Sequence, residues 1–257
     1  MLKAFTVFSK YSFINPWQVR SIIWIVLPML LSCSAFPPTA VRRNTMQSGE
    51  PSIRDSFTNA RPELDWLPYP NFNQDNLHGT IDKTSPEGEP GVGVLDNKNV
   101  GGFAALSYAA TNSLSDFYLE TWIYAQVTPG EKGPLNGIAF HIDTVSGNFY
   151  RVATQFMGSE PALSLAYVGK ETNHYPKYLA RWKGAEIPGG PPRSSGWQKI
   201  AISVQDGKAE IYWNETELPG GPFAIDRVRS GYIGVYANFV GGLGHAETKV
   251  DGLRVWP

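Results

Sequence analysis

Residues 113–127 read SLSDFYLETWIYAQV, and their side chains alternate between two kinds. One side carries Phe117, Leu119, Thr121 and Ile123, and the other carries Tyr118, Glu120, Trp122 and Tyr124. An alternation of period two is typical of a β-strand. Three aromatic residues around one carboxylate are more than a solvent-facing side of a strand requires. Either both faces of this strand are covered by protein, or the second face binds a ligand.

Similar alternating segments recur along the chain between turns rich in Gly, Pro and Asn. They span residues 92–96, 101–109, 115–127, 136–143, 148–157, 162–168, 177–183, 197–205, 208–213, 231–240 and 245–256. Asp206-Gly207 separates two of these segments, and Asp-Gly is a preferred tip of a two-residue β-hairpin. No segment longer than about 10 residues holds a helical period. The pattern predicts an all-β protein with the short strands of a sandwich or barrel.

Composition and charge exclude several classes of function. The 257 residues include 22 basic and 23 acidic side chains, for a net charge of −1, so no overall field attracts a polyanion. We therefore expect no nucleic-acid partner. The single cysteine, Cys33, excludes an intrachain disulfide and a zinc site built from several cysteines.

The N-terminal region has the features of an export signal. Lys3, Lys10 and Arg20 precede an apolar run over residues 22–31, which is short for a membrane span. The following Leu30-Leu31-Ser32-Cys33 resembles the bacterial lipobox, in which a lipidated cysteine becomes the new N-terminus. The alternative is that Cys33 lies in an uncleaved anchor or an ordinary signal.

The lipobox resemblance implies a domain organisation and a location. Residues 1–32 would be a removed signal peptide, and residues 33–54, which lack an apolar period, would form a flexible tether to a domain over residues 55–257. Acyl chains on Cys33 would hold the protein on a membrane surface in the cell envelope. By the same resemblance, Ser34 after the cysteine favours the outer membrane in a cell that has two membranes.

Four stretches in order resemble the concanavalin A-like lectin/glucanase superfamily, in its laminin-G-like or family-16-glycosidase-like branch. They are residues 55–57, residues 116–120, the paired segments 196–204 and 208–213, and residues 231–237 followed by 250–255. The resemblance implies an antiparallel jelly-roll β-sandwich of two sheets, one concave, with ligands lying across the concave face.

Strand alternation then selects the residues expected on the ligand-binding face. The set comprises Tyr118, Glu120, Trp122, Tyr124, His141, Arg151, Gln155, Tyr236 and Asn238. Aromatic rings stack on sugar rings, while Arg, Gln, Asn and Glu form hydrogen bonds with hydroxyl groups. We therefore expect a carbohydrate ligand.

Each of these residues also has a structural interpretation. Trp122 and Tyr124 would form a small second core if residues 157–195 covered them. Glu120 and Arg151 would form a cross-strand ion pair, and His141 would be a hydrogen-bonded structural histidine. No cofactor is expected, although Asp55 and Asp251 are candidate ligands of a structural Ca²⁺.

The carboxylate pattern favours binding over catalysis. Family-16 glycosidases carry both catalytic carboxylates on one strand in the form Glu-x-Asp-x-Glu, and this chain has no such stretch. The first hypothesis is a non-catalytic, lectin-like domain on a lipid anchor. The second is a sugar-cleaving jelly-roll enzyme that uses Glu120, His141 and Arg151. The third is a structural envelope protein that binds another protein.

Overall fold

A computed structural model describes residues 49–70, 72, 76–88, 91–97, 104–126, 133–156, 160–239 and 245–257. The predicted signal peptide, the lipidation site Cys33 and the tether up to residue 48 lie outside the described residues. Among the residues described, no helix has both the length and the apolar character needed to span a membrane.

The described chain is built from β-strands joined by turns and three short 3-10 helices. The strands are β1 (Ile53–Asp55), β2 (Trp66–Pro68), β3 (His78–Ile81), β4 (Gly91–Asn97), β5 (Ala105–Ala109), β6 (Phe117–Gln126), β7 (Pro134–Asp143), β8 (Asn148–Gln155), β9 (Ala162–Val168), β10 (Lys177–Lys183), β11 (Trp197–Gln205), β12 (Lys208–Trp213), β13 (Thr216–Glu217), β14 (Phe223–Ala224), β15 (Tyr232–Phe239) and β16 (Ala246–Trp256). The 3-10 helices span Thr58–Ala60, Lys170–Thr172 and Gly184–Glu186.

The strands predicted from alternation are all present. The prediction missed β1, β2, β3, β13 and β14, because strands of two to four residues are too short to display a period. Ile53 and Arg54, which the sequence assigned to the tether, belong to β1 and pair with Val255 and Arg254. The predicted hairpin tip is correct: Asp206 and Gly207 both have positive φ values, 52° and 70°, as a type I′ turn requires.

The strands form two antiparallel sheets. The first, called here the β6 sheet, has the order β13-β12-β11-β6-β16-β4-β3, with β1 beside β16 and β14 beside β12. The second, the β8 sheet, has the order β10-β9-β8-β7-β15-β5-β2. The predicted two-sheet antiparallel sandwich is confirmed.

The main hydrophobic core lies between the two sheets. The β6 sheet contributes residues such as Phe117, Leu119, Ile123, Ile202 and Val250, and the β8 sheet contributes Val152, Leu165, Ile233, Val235 and Ala237. These are the inward-facing residues that the alternation predicted for β6, β8 and β15. The opposite side of each of these strands faces away from this core, and both outer faces therefore need to be considered as binding surfaces.

A buried polar contact links the two sheets within this core. The Asn136 side chain on β7 donates from Nδ2 to Thr248 Oγ1 on β16 at 3.0 Å and to the Glu247 carbonyl oxygen at 2.7 Å. Thr248 Oγ1 donates in turn to the Tyr236 carbonyl oxygen at 2.8 Å. Because buried polar groups are costly unless paired, these contacts fix how β7 and β15 pack on β16.

Candidate functional site

The outer face of β6 is covered by protein. Tyr118, Glu120, Trp122 and Tyr124 share this face, as predicted, but Tyr118 is fully buried in a small cluster with Ala201, Tyr212 and Trp256. Trp122 and Tyr124 are partly buried. Both sides of the stretch at residues 117–124 therefore contact other parts of the fold.

Glu120 lies between two cations of its own sheet. Its carboxylate is 3.3 Å from Lys199 Nζ on β11, and Arg254 Nη1 on β16 donates to it at 3.4 Å. The predicted ion pair between Glu120 and Arg151 is wrong, because Arg151 belongs to β8 in the other sheet. The strand pattern indicated that each residue faces outward, but not that the two outward faces are on opposite sides of the sandwich.

A segment before β4 covers much of this face. Trp122 Nε1 donates to Glu87 Oε1 at 3.1 Å, and Glu87 also pairs with Arg254. Trp197 donates from Nε1 to Thr84 Oγ1 at 3.1 Å, and its ring packs edge-on against the ring of Tyr124. The cover expected from residues 157–195 comes instead from residues 84–87. These contacts form a structural network on the outer face of the β6 sheet.

His141 lies inside the sandwich, and the prediction that it faces outward is wrong. A β-bulge interrupts the pairing of β7 with β8 between Phe140 and Asp143, and His141 has a left-handed φ of 48°. The His141 side chain is fully buried against Phe117 and Phe140, with ring nitrogens 2.8 Å from the Val228 carbonyl oxygen and 2.9 Å from that of Ser115. Burial lowers the pKa of His141 more than these two carbonyl contacts raise it.

The bulge also moves Ile142 to the outer side of the β8 sheet. Ile142 packs there with Ala139, although simple alternation placed it in the core beside Phe140. The side chain of Asp143 accepts hydrogen bonds from the backbone N–H groups of Val145 and Ser146 in the turn between β7 and β8. Neither His141 nor Asp143 is thus part of a shared outer surface.

The outer face of the β8 sheet brings together the remaining predicted residues. Arg151 and Gln155 lie on β8, and Tyr236 and Asn238 lie on β15, with β7 between these two strands. Arg151, Tyr236 and Asn238 alternate with residues of the main core, as the sequence indicated. We call these four residues, together with Tyr178, the β8 face.

Arg151 is the most unusual residue of the β8 face. It is 1% exposed, and within the described part of the chain none of its three guanidinium nitrogens has a hydrogen-bond partner. Its guanidinium carbon lies 5.1 Å from the centre of the Tyr236 ring, within the range of a cation–π interaction. Burial raises the pKa of the Tyr236 hydroxyl, and the charge of Arg151 acts in the opposite direction.

Arg151 is flanked by residues with little or no side chain. Its neighbours in register are Ala139 on β7 and Ala166 on β9. Gly137 and Ala153 form the next pair along β7 and β8. Arg151 and these three alanines are all buried, so the short side chains beside Arg151 lie under protein and not on an open surface.

Two amides on this face each have an oxygen that no described residue donates to. Gln155 donates from Nε2 to Ser164 Oγ at 3.0 Å and to Tyr178 Oη at 3.1 Å, while its Oε1 has no hydrogen-bond partner. Asn238 donates from Nδ2 to Tyr236 Oη at 3.0 Å, and its Oδ1 likewise has none. The β8 face thus carries guanidinium donors and amide acceptors that the described residues leave unpaired.

Several residues of this surface were not predicted from the sequence. Tyr178 on the edge strand β10 is 44% exposed and contacts Gln155, and the rings of Tyr69, Phe72 and Phe149 form an aromatic cluster that reaches Tyr236. Phe149 stands two residues before Arg151, so the alternation of β8 already implied its face. No sequence signal indicated that Tyr69 and Phe72 lie beside it.

The three residues of the enzyme hypothesis do not form one site. Glu120 lies on the outer face of the β6 sheet, His141 lies between the sheets, and Arg151 lies on the outer face of the β8 sheet. Along the described strands of the β8 sheet the one carboxylate is Asp143, whose Oδ1 is engaged in the β7–β8 turn. A pair of carboxylates about 5.5 Å apart, as retaining glycosidases require, is absent from those strands.

The carboxylate of Asp55 does not fit a calcium ligand. Asp55 is fully buried, and its two oxygens accept hydrogen bonds from the backbone N–H groups of Phe57, Glu63 and Leu64 and from Trp66 Nε1. Burial raises the pKa of Asp55, and these hydrogen bonds oppose the rise. The donors occupy the directions from which a cation would approach.

Asp251 and one further cluster also contain potential metal ligands. Asp251 Oδ2 accepts from Ser85 Oγ at 2.7 Å and from the Glu87 N–H at 3.2 Å, while Oδ1 has no hydrogen-bond partner. Asp96, His245 and Glu247 place potential ligand atoms within 4.8 Å of one another. His245 already contacts the Asp96 carboxylate directly.

Solved structures of similar fold include a carbohydrate binding module and a β-glucanase. A carbohydrate binding module, CBM66, from Bacillus subtilis shares 15% identity at a TM-score of 0.54, over 78% of this chain and 98% of that chain. The cellulose induced protein Cip1 shares 18% identity at a TM-score of 0.53, over 79% of this chain and 96% of that chain. A β-glucanase from Bacillus licheniformis shares 13% identity at a TM-score of 0.52, over 82% of this chain and all of that chain.

The chain has a concanavalin A-like jelly-roll fold. The fold expected from the sequence resemblance is thus confirmed. No protein-family model and no curated protein matches the sequence. Because fold alone does not determine function, we infer the function from the residues on the surfaces of this jelly roll.

Proposed function

We propose that this protein is a lectin-like carbohydrate-binding protein whose ligand lies across the β8 face. The observation that carries the proposal is the group of unused polar atoms on Arg151, Gln155 and Asn238. Each sugar hydroxyl both donates and accepts hydrogen bonds, so one glycan can satisfy guanidinium donors and amide acceptors together. Tyr178, at the exposed edge, supplies an aromatic ring of the kind that packs against sugar rings.

The residues of the β8 face favour glycan binding over glycan cleavage. The β8 strand presents Phe149, Arg151, Ala153 and Gln155 on its outer side, where alternate carboxylates would be needed for a glycosidase. Glu120, the carboxylate of the enzyme hypothesis, pairs with Lys199 and Arg254 on the opposite side of the sandwich. The residues of the β8 face suit recognition of a glycan without a catalytic acid and base.

Affinity electrophoresis of the purified full chain through gels containing neutral or acidic polysaccharides tests this proposal. We expect at least one polysaccharide to retard the protein, without release of reducing ends. Tyr178→Ala and Asn238→Ala should weaken the retardation, while Tyr124→Ala, on the β6 sheet, serves as the matched control and should not. The proposal fails if no polysaccharide retards the folded protein, or if Tyr124→Ala alone abolishes the effect.

The proposal also includes display of the domain in the cell envelope through a lipid on Cys33. It rests on the resemblance of residues 30–33 to the lipobox and on the polar segment that follows. Growth of cells with a labelled fatty acid should label the wild-type chain in the membrane fraction. Cys33→Ser should remove the label, and labelling of that variant would contradict acylation at Cys33.

A further inference from the structure

The guanidinium of Arg151 is a buried cation that no carboxylate among the described residues neutralises. It is 1% exposed, its three nitrogens have no hydrogen-bond partner, and Asp143, the one carboxylate in the described strands of its sheet, is occupied by the Val145 and Ser146 N–H groups. Removing a charge from water is expensive unless an opposite charge and hydrogen bonds replace the water. In the unbound protein, only the ring of Tyr236 faces this charge among the contacts described above.

We propose that the glycan bound by the β8 face is acidic, and that Arg151 pairs with the carboxylate of a uronic acid in it. This inference rests on the proposed function and specifies the class of ligand. An arginine fork matches a planar carboxylate, with two parallel N–H···O bonds. A neutral sugar would supply acceptors but would leave the buried positive charge unbalanced.

The neighbours of Arg151 fit the remainder of a uronate sugar. Gln155 Oε1 and Asn238 Oδ1 lack donors, and the hydroxyl groups of the same sugar are donors. Ala139, Ala153 and Ala166 beside Arg151 are short, so a ligand group that reaches the guanidinium meets no large side chain from these three positions.

Tyr178 lies at the solvent-exposed edge next to these buried groups. Its side chain is exposed, and its hydroxyl contacts Gln155, which lies four residues from Arg151 on the same strand face. Displacement of Tyr178 would break that hydrogen bond and its stacking with Arg181, whose guanidinium carbon lies 5.9 Å from the ring centre. Arg181 is itself exposed, and its charge would attract an anionic polymer to this edge.

The test compares uronic acid polymers with the same polymers lacking charge. Purified full chain is titrated with polygalacturonate, alginate and glucuronan, each beside its carboxyl-reduced form, with dextran sulfate and dextran as sulfated and neutral controls. We expect binding to at least one uronan, weakened at least tenfold by carboxyl reduction. Arg151→Met should weaken that binding at least tenfold with the fold intact, and Arg151→Lys should restore part of it.

The outcomes separate this inference from the proposed function. Binding to neutral dextran or to carboxyl-reduced polymers that is unchanged in Arg151→Met overturns the acidic-ligand inference and leaves carbohydrate binding standing. Binding to dextran sulfate alone contradicts the proposal that Arg151 pairs with a carboxylate and indicates that the site binds a sulfate group. If the folded wild-type chain binds neither these polymers nor any other glycan, the proposed function fails together with the inference.

Discussion

The guanidinium carbon of Arg151 lies 5.1 Å from the centre of the Tyr236 ring, and no hydrogen bond accompanies this contact. A desolvated cation–π interaction contributes about 2 kcal/mol, whereas the desolvation of an ion costs several kcal/mol. Arg151 is therefore retained at a cost to the free energy of folding. A residue of that kind is better explained by a ligand than by stability.

Replacement of Arg151 by methionine tests that cost directly. Because the variant removes an unpaired buried charge and keeps much of the side-chain volume, we expect Tm to stay the same or rise by roughly 2–6 °C. Arg254→Met is the matched control and should lower Tm, because Arg254 pairs with Glu87 and Glu120. Thermal unfolding monitored by circular dichroism measures both, and a clear loss of stability in Arg151→Met would show that Arg151 supports the fold.

Glu120 should contribute to stability and not to glycan binding. Its carboxylate lies between Lys199 and Arg254 and is 8% exposed, so Glu120→Gln leaves two partly buried cations with a weaker partner. We expect a loss of about 1–3 kcal/mol in the free energy of unfolding, measured in urea. Glu215→Gln, at a 67% exposed partner of Lys199, should cost much less. If Glu120→Gln lost glycan binding while its stability stayed unchanged, the ligand would bind on the β6 sheet.

The cover over Trp122 and Tyr124 should weaken in acid. Asp82 lies next to the covering residues 84–87 and accepts hydrogen bonds from Thr84 and from Lys249 Nζ. Burial alone would raise the pKa of Asp82, but these hydrogen bonds outweigh it and lower that pKa to about 2. Stability from these contacts is thus fully present above the ordinary pKa near 3.8, and it is lost as the pH falls toward 2. The unfolding free energies of wild type and Asp82→Asn should differ at pH 6 and converge toward pH 2. A difference that persists at pH 2 would contradict this assignment.

Asp55 should act through hydrogen bonds and not through a metal. Four N–H groups donate to its carboxylate, and Asp55→Asn replaces one acceptor oxygen with a donor. We expect this variant to lose about 2–4 kcal/mol of stability, against little change for Asp65→Asn at an exposed side chain. Addition of EDTA should leave the Tm of the wild type unchanged. A fall in Tm with EDTA that Ca²⁺ reverses only while Asp55 is intact would establish a calcium site there.

Strand alternation predicted much of the fold from the sequence. It identified the longer strands, and it assigned Leu119, Val152 and Val235 correctly to the core, because a strand in a sandwich buries one side. It also placed Arg151, Gln155, Tyr236 and Asn238 on outer positions. These four residues form the candidate site.

The pairing of strands could not be read from the same pattern. Alternation gives the face of a residue relative to its own strand, and it does not tell which sheet the strand joins, so Glu120 and Arg151 were expected together. The bulge after Phe140 is a local insertion that reverses the side of His141 and Ile142, and no residue type marks it. The cover provided by Thr84 and Glu87 depends on tertiary contacts across about 35 residues or more of sequence.

Hydrogen–deuterium exchange of the full chain, with and without a saturating concentration of a bound polysaccharide, shows which sheet the ligand contacts. We expect slower exchange in residues 151–155, 177–181 and 236–238 when the ligand is present, with little change in residues 118–124 and 197–201. Protection confined to residues 118–124 and 197–201 would place the ligand on the β6 sheet and contradict binding at the β8 face.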